Sequence, residues 1–142
     1  VLLLAGKGEL ENEIKSYADR YGIMDKVRFL GQRNDIPELM NAADILVMPS
    51  VYEGLPVTLV EAQATGLKCA VSDVITRETE ITDNIQYISL EKDAGYWAEK
   101  ILGFTDRAER KSYTDDVAEN GYDIYTTVKW LMDFYLEQGG EK

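Results

Sequence analysis

The sequence predicts an α/β fold: a parallel sheet of about five strands, helices on both faces, and a helical C-terminal segment. Two observations carry this expectation. Short apolar runs alternate with amphipathic stretches of helical period. Glycine or proline stands at the end of most of these segments, where a parallel sheet must turn into its crossovers. The 142 residues, 45% hydrophobic and 29% charged, amount to one globular domain's worth of chain.

Taken in order, Val1–Ala5 reads as a strand followed by the turn Gly6-Lys7-Gly8. Glu9 to Tyr21 has Leu10, Ile14 and Tyr17 or Ala18 on one helical face, and Gly22 is placed to stop it. Val27–Leu30 is a second strand ended by Gly31, and Asn34 or Asp35 is placed to cap a short helix through Asn41 with Pro37 in its first turn. Ile45–Met48 is a third strand, closed by Pro49. A loop, Ser50 to Leu55, leads into a helix from about Pro56 to Thr65, with Gly66 as its stop. Cys69–Ser72 is a fourth strand and Ile85–Leu90 a fifth. From 93 to 138 the pattern is largely helical, with Trp97, Ile101, Trp130 and Phe134 among the apolar positions, and Gly139–Lys142 is expected to fray. With no repeat or linker in sight, residues 1–142 are expected to form a single domain.

Composition excludes several chemistries. With 26 acidic residues against 15 basic ones, the formal charge is −11, which argues against a nucleic-acid partner and against direct contact with an anionic membrane. The chain has no histidine, so a Ser-His-Asp or Cys-His nucleophile pair and histidine-bound metal are unavailable. A single cysteine, Cys69, rules out an internal disulfide and a cysteine zinc site. Residue 1 is Val and already belongs to a strand pattern, without a signal-peptide or membrane-span pattern, so a piece of a longer protein is expected.

Chemistry concentrates between Pro49 and Gly66. This segment leaves the carboxyl end of a strand, the edge where open α/β sheets bind ligands, and it opens a helix. Amides around Gly54, Leu55, Val57 and Thr58 lie at the positive end of that helix, where unpaired donors suit a phosphate or carboxylate. Gly54, having no Cβ, lets a ligand approach the backbone. Glu53 precedes the helix and Glu61 lies inside it, amid Thr58-Leu59-Val60 and Ala62. An inward-facing carboxylate there needs hydrogen-bond donors, and the two hydroxyls of a vicinal diol such as ribose match its two oxygens. Placement of Glu61 on a solvent face is the alternative.

These residues resemble a family. Glu53 and Glu61 have the E-x7-E spacing of retaining, nucleotide-sugar-dependent glycosyltransferases of two-Rossmann (GT-B) architecture. The string Pro49-Ser50, Tyr52-Glu53-Gly54-Leu55-Pro56, then Glu61-Ala62-Gln63, is similar to the C-terminal, donor-binding domain of the group 1 members, above all those of bacterial exopolysaccharide and capsule assembly. Val27 to Asp35 and Leu39 to Asp44 resemble the family's strands and turns upstream of that motif. The resemblance implies a Rossmann-like C-terminal half and a cytoplasmic enzyme that transfers a hexose from a UDP- or GDP-sugar to a polysaccharide or lipid-linked acceptor. By position, Glu53 would be catalytic, lying near the transferred sugar. Glu61 would hold the donor ribose, and the amides of Gly54, Leu55 and Val57 would face sugar and diphosphate. Gln32, Arg33 and Asn34 would hold the nucleobase. No cofactor and no metal is implied; the partners are the nucleotide-sugar donor and an N-terminal acceptor domain, without which the fragment is expected to be inactive. Two departures stand out. The family's Arg and Lys for the diphosphate precede the segment that Val1 begins, and Val57 follows Pro56 where many relatives carry Asn.

Other features point elsewhere only weakly. Gly6-Lys7-Gly8 fits neither the dinucleotide nor the P-loop pattern. Cys69 in its β-run reads as a small buried hydrophobe. Trp97 and Trp130 read as helix-packing residues, and an exposed aromatic patch on the last helix would mark a surface for the acceptor domain. The competing class is a non-catalytic binding or assembly module on which Glu53 and Glu61 merely decorate the surface.

Overall fold

A computed structural model describes residues 1–105 and 110–139. The chain forms two compact units, Val1–Ile36 and Pro37–Lys142. All five expected strands are present and all pair in parallel, within an α/β fold that ends in helices. Their hydrogen bonds group them as two sheets among the described residues, β1-β2 and β3-β4-β5, where one sheet was expected. An apolar run marks a strand without naming its neighbour, which is why the grouping escapes the sequence pattern.

In the first unit, β1 (Leu2–Ala5) pairs with β2 (Val27–Gly31). Between them runs α1 (Glu11–Arg20). Its end shows why glycine stands there: Gly22 has φ +63°, its amide donates to the Asp19 carbonyl at 2.9 Å, and the Ile23 amide donates to Ala18 at 2.9 Å. That is the Schellman arrangement, which satisfies the last carbonyls of a helix. The apolar face foreseen on α1 is only partly covered. Ala18 is buried, whereas Leu10, Ile14 and Tyr17 stay 63%, 44% and 48% exposed.

The second unit holds the larger core. Here α2 (Ile36–Ala42) leads to β3 (Ile45–Met48), α3 (Val57–Ala64), β4 (Lys68–Ser72), a 3-10 turn at Arg77–Thr79 and β5 (Ile85–Ile88). Strand β4 lies between β3 and β5. Cys69, Ala70, Val71 and Ser72 are wholly buried, so both faces of β4 are covered, as the near-continuous apolar run requires of a central parallel strand. Ala70 and Ile88 on one face pack with Trp97 of α4 (Ala94–Phe104), flanked by Ile45, Leu90 and Ile101. The Trp97 indole donates to the Ser89 carbonyl at 3.1 Å, which satisfies its one polar atom. Asp93 caps α4 by accepting the Tyr96 amide at 2.8 Å.

Helix α3 ends as α1 does. Gly66 has φ +71°, its amide donates to Gln63, and the Leu67 amide donates to Ala62. Downstream, Arg110 sends one guanidinium nitrogen to the carbonyls of Met40 (2.9 Å) and Asn41 (3.0 Å) and another to that of Ala43, at the C-terminal end of α2. The helical stretch then continues through α5 (Thr114–Val117), a π-turn over Ala118–Tyr122 and α6 (Ile124–Gly139). Gly121, at φ +88°, breaks the run, and the Asp123 carboxylate restarts it by accepting the Thr126 amide at 2.8 Å. Of the tail expected to fray, Gly139 closes α6, and residues 140–142 lie outside the described residues. The aromatic patch foreseen on the last helix is present: Tyr125, Trp130 and Tyr135 are 83%, 63% and 65% exposed, and Trp130 stacks on Phe134 at 5.7 Å. Trp130 therefore packs along its own helix rather than in the core. Among the described residues, no helix is long and apolar enough to cross a membrane.

Candidate functional site

The loop Pro49–Pro56 emerges from the carboxyl end of β3, beside the carboxyl end of β4, since Met48 and Val71 are register partners. The Ser72 hydroxyl donates to the Ser50 carbonyl and ties the start of this loop to β4. Pro56 is buried and forms the hinge into α3, with φ −77° and ψ 81°. Around it the Val57 amide donates to the Leu55 carbonyl at 2.9 Å, an inverse γ-turn. The expectation for Val57 is corrected here: its N–H is consumed by the turn and does not face a ligand. Proline's restricted φ favours this geometry.

Other donors remain open. The amides of Gly54, Leu55 and Thr58 bond no described residue, and Gly54, Leu55, Val57 and Thr58 are all exposed. Thr58 is one of the first-turn N–H groups that a helix leaves unpaired at the positive end of its dipole, while Gly54 and Leu55 belong to the loop that leads into it. No lysine or arginine occurs between Pro49 and Gly66, so within this segment only backbone supplies positive potential.

The two carboxylates flank that end. Glu53 is half-buried in the loop, and Glu61 lies in α3, about 6 Å along the axis from Val57 by helical rise. Neither makes a hydrogen bond or ion pair with any described residue. Of the two placements open to Glu61, the structure takes the solvent-facing one. Leu59, Val60, Ala62 and Gln63 turn inward and are at most 4% exposed, while Glu61 between them faces outward. Its carboxylate is exposed, so burial creates no demand for a diol; what the structure offers is an open acceptor without a partner among the described residues.

Gln32, Arg33 and Asn34 are exposed in the turn after β2, within the other compact unit. Arg33 is already engaged: its guanidinium grips the Asp35 carboxylate through two parallel bonds, one of 2.7 Å from Nε. That hydrogen-bonded pairing raises the arginine's pKa and lowers the aspartate's. The two bonds orient the guanidinium plane against the Asp35 carboxylate.

Cys69 is wholly buried, and desolvation pushes its thiol up to about 12, consistent with a packing role. Among the described residues, no group of three or more Asp, Glu, Cys or His side chains could hold a metal ion. One residue went unnoticed in the site reading: Gln63, a fully buried amide two positions beyond Glu61. Its signal was available, as a lone polar side chain on the face that carries Leu59 and Val60.

Known proteins resemble the chain in sequence and in fold. The chain is 41% identical over 137 residues to the protein EpsF of Bacillus subtilis (strain 168), covering 94% of this chain and 36% of that one. It is 30% identical over 143 residues to the UDP-Gal:alpha-D-GlcNAc-diphosphoundecaprenol alpha-1,3-galactosyltransferase of Escherichia coli, covering 96% of this chain and 37% of the relative. The crystal structure of WaaG, a glycosyltransferase involved in lipopolysaccharide biosynthesis, superposes with a TM-score of 0.72 at 22% identity over 94% of this chain and 37% of that one, a likeness of fold. The chain thus spans little more than a third of these relatives. The family model described as glycosyl transferases group 1 matches residues 1–122, and the chain belongs to that family.

Proposed function

We propose that this chain is the nucleotide-sugar-binding part of a retaining glycosyltransferase that moves a hexose from a UDP- or GDP-sugar to a polysaccharide or lipid-linked acceptor. One observation carries the reading: two unpartnered carboxylates flank open amides of a loop and of the helix it enters, at the carboxyl end of a parallel strand. The amides of Gly54, Leu55 and Thr58 take the diphosphate, whose charge grows as the sugar departs, so preorganised N–H donors there stabilise the transition state more than the ground state. Glu61 accepts two hydrogen bonds from the ribose diol, and Glu53 meets the hydroxyls or developing positive charge of the transferred sugar. The name of the Escherichia coli relative, with a UDP-linked sugar and a diphosphoundecaprenol acceptor, supports the substrate classes.

With a formal charge of −11 and no cation in the Pro49–Gly66 segment, the chain alone binds an anionic donor weakly and turns nothing over; acceptor binding belongs to a further domain. Titration with UDP, GDP and ADP, read as backbone amide shifts, tests the reading. Gly54 to Glu61 should respond to UDP or GDP at millimolar concentration, and Glu61→Ala should abolish the response. Because Glu61 is exposed and unpartnered, that substitution should change stability by less than about 0.5 kcal/mol. Silence of the segment toward all three nucleotides would leave a non-catalytic module as the better account.

A further inference from the structure

The loop that carries Glu53 is held at its two ends. At the far end Pro56 is buried where the loop enters α3. At the near end the Ser72 hydroxyl donates to the Ser50 carbonyl. Glu53 lies midway, three residues from each of these points. Between them Val51–Leu55 bond the other described residues only through the Leu55 carbonyl, which accepts the Val57 amide. Val51, Tyr52, Gly54 and Leu55 are exposed, so the ends rather than the middle set the course of the span.

The near end is fastened by a side chain where the strand ladder stops. The last register pair of β3 and β4 is Met48 with Val71, and Pro49 follows with no N–H to extend it. Ser72, the final residue of β4, is 0% exposed in a strand whose other fully buried members are Cys69, Ala70 and Val71. An alanine would satisfy that packing. A hydroxyl taken out of water costs free energy unless it is bonded, and the single O–H of Ser72 goes to the Glu53 loop. Both partners stand at the carboxyl edge of the sheet, where the candidate site opens.

We infer that Ser72 is a positioning residue of the nucleotide-sugar site: from the end of β4 its hydroxyl fixes where the Glu53 loop leaves the sheet, and so presets Glu53 and the open amides of Gly54 and Leu55 for the donor. This rests on the donor-site reading above and adds to it a buried residue that does not touch the ligand. Without the bond the loop is fixed at Met48 instead of Ser50, and the geometry that accepts the donor becomes one of several. When only a fraction of molecules is competent to bind, the apparent Kd weakens by that fraction. One neutral hydrogen bond corresponds to about fivefold in such a population.

The full chain, isotopically labelled, is titrated with UDP and with GDP while the amides of Gly54–Glu61 are followed, and Tm is recorded for every variant. Ser72→Ala should raise the nucleotide Kd about fivefold. Ser72→Cys keeps a side chain of similar shape with a weaker donor, so its Kd should fall between the two. Leu67→Val alters a fully buried side chain just before β4, at the opposite end of that strand, and should lower Tm without moving Kd. A wild-type Kd in Ser72→Ala, or equal losses of affinity in Ser72→Ala and Leu67→Val, overturn the inference and leave the donor site standing. Silence of Gly54–Glu61 toward both nucleotides in the unaltered chain overturns both together. Where Ser72→Ala does not fold, Ser72→Cys decides, and a wild-type Kd there overturns the inference.

Discussion

Replacing Gly66 by alanine separates two costs that glycine conceals. Gly66 sits at φ +71°, a left-handed conformation that costs an L-residue about 1–2 kcal/mol. A Cβ built there would also stand 1.9 Å from the Lys111 carbonyl oxygen and 2.9 Å from a side-chain carbon of Arg110. The first contact is with backbone, so the 110–113 segment must move. Its bond from the Tyr113 amide to the Ala64 carbonyl, 3.1 Å long, is then lost or stretched, for about 1 kcal/mol more. With displacement of the Arg110 contacts to the end of α2, the total comes to about 3 kcal/mol. Gly22 provides the control: its φ is +63° but nothing lies within 4 Å of a Cβ, so Gly22→Ala should cost only the conformational part, about 1 kcal/mol. Urea denaturation followed by far-UV circular dichroism and tryptophan fluorescence gives both numbers. Equal destabilisation by the two substitutions would refute the contribution assigned to the Lys111 carbonyl.

Two further outcomes follow from titratable groups. Asp123 accepts hydrogen bonds from Thr126 and Tyr125, chiefly the Thr126 side chain, which lower its carboxyl pKa in the folded chain. A depressed folded pKa gives stability that is full above the unfolded carboxylate range and lost as pH falls through the folded value, so the helicity of α6 should decline on acidification. Asp123→Asn should flatten that acid limb, as measured by circular dichroism across the carboxylate range. Cys69, buried and raised to about 12, should resist a thiol reagent at pH 8 in the folded chain and react at once in denaturant. Fast labelling of the native chain would contradict its burial.

Local chemistry was legible in the sequence wherever one residue settles one conformation. Gly22 and Gly66 stop their helices in the manner expected, Pro49 closes β3, and the unbroken Lys68–Ser72 run is a strand covered on both faces. What escaped depends on neighbours remote in sequence. Pairing of the strands into two sheets is not written in an apolar run. Both orientations of Glu61 stayed open because α3 is apolar on most of its surface, and only the packed stripe of Leu59, Val60 and Gln63 decides for the outward one. The Val57 amide was misjudged because a proline hinge can close a γ-turn that takes the donor first. Gln63 was passed over since its partners, Thr79 to Thr82, lie 16 to 19 residues away across a strand and a loop.

The reach of Arg110 to the end of α2 has a consequence for the order in which the polypeptide acquires structure. The Met40 carbonyl meets its guanidinium partner 70 positions later in the chain. On the ribosome, where synthesis proceeds at about 5–20 residues per second, α2 therefore waits several seconds with its terminal carbonyls open to water. By the time Arg110 arrives, strands β3, β4 and β5 have already been made. The guanidinium then works as a latch on strands already made, and a late arrival in this unit, with only α5 and α6 still to follow, completes one of its earliest helices.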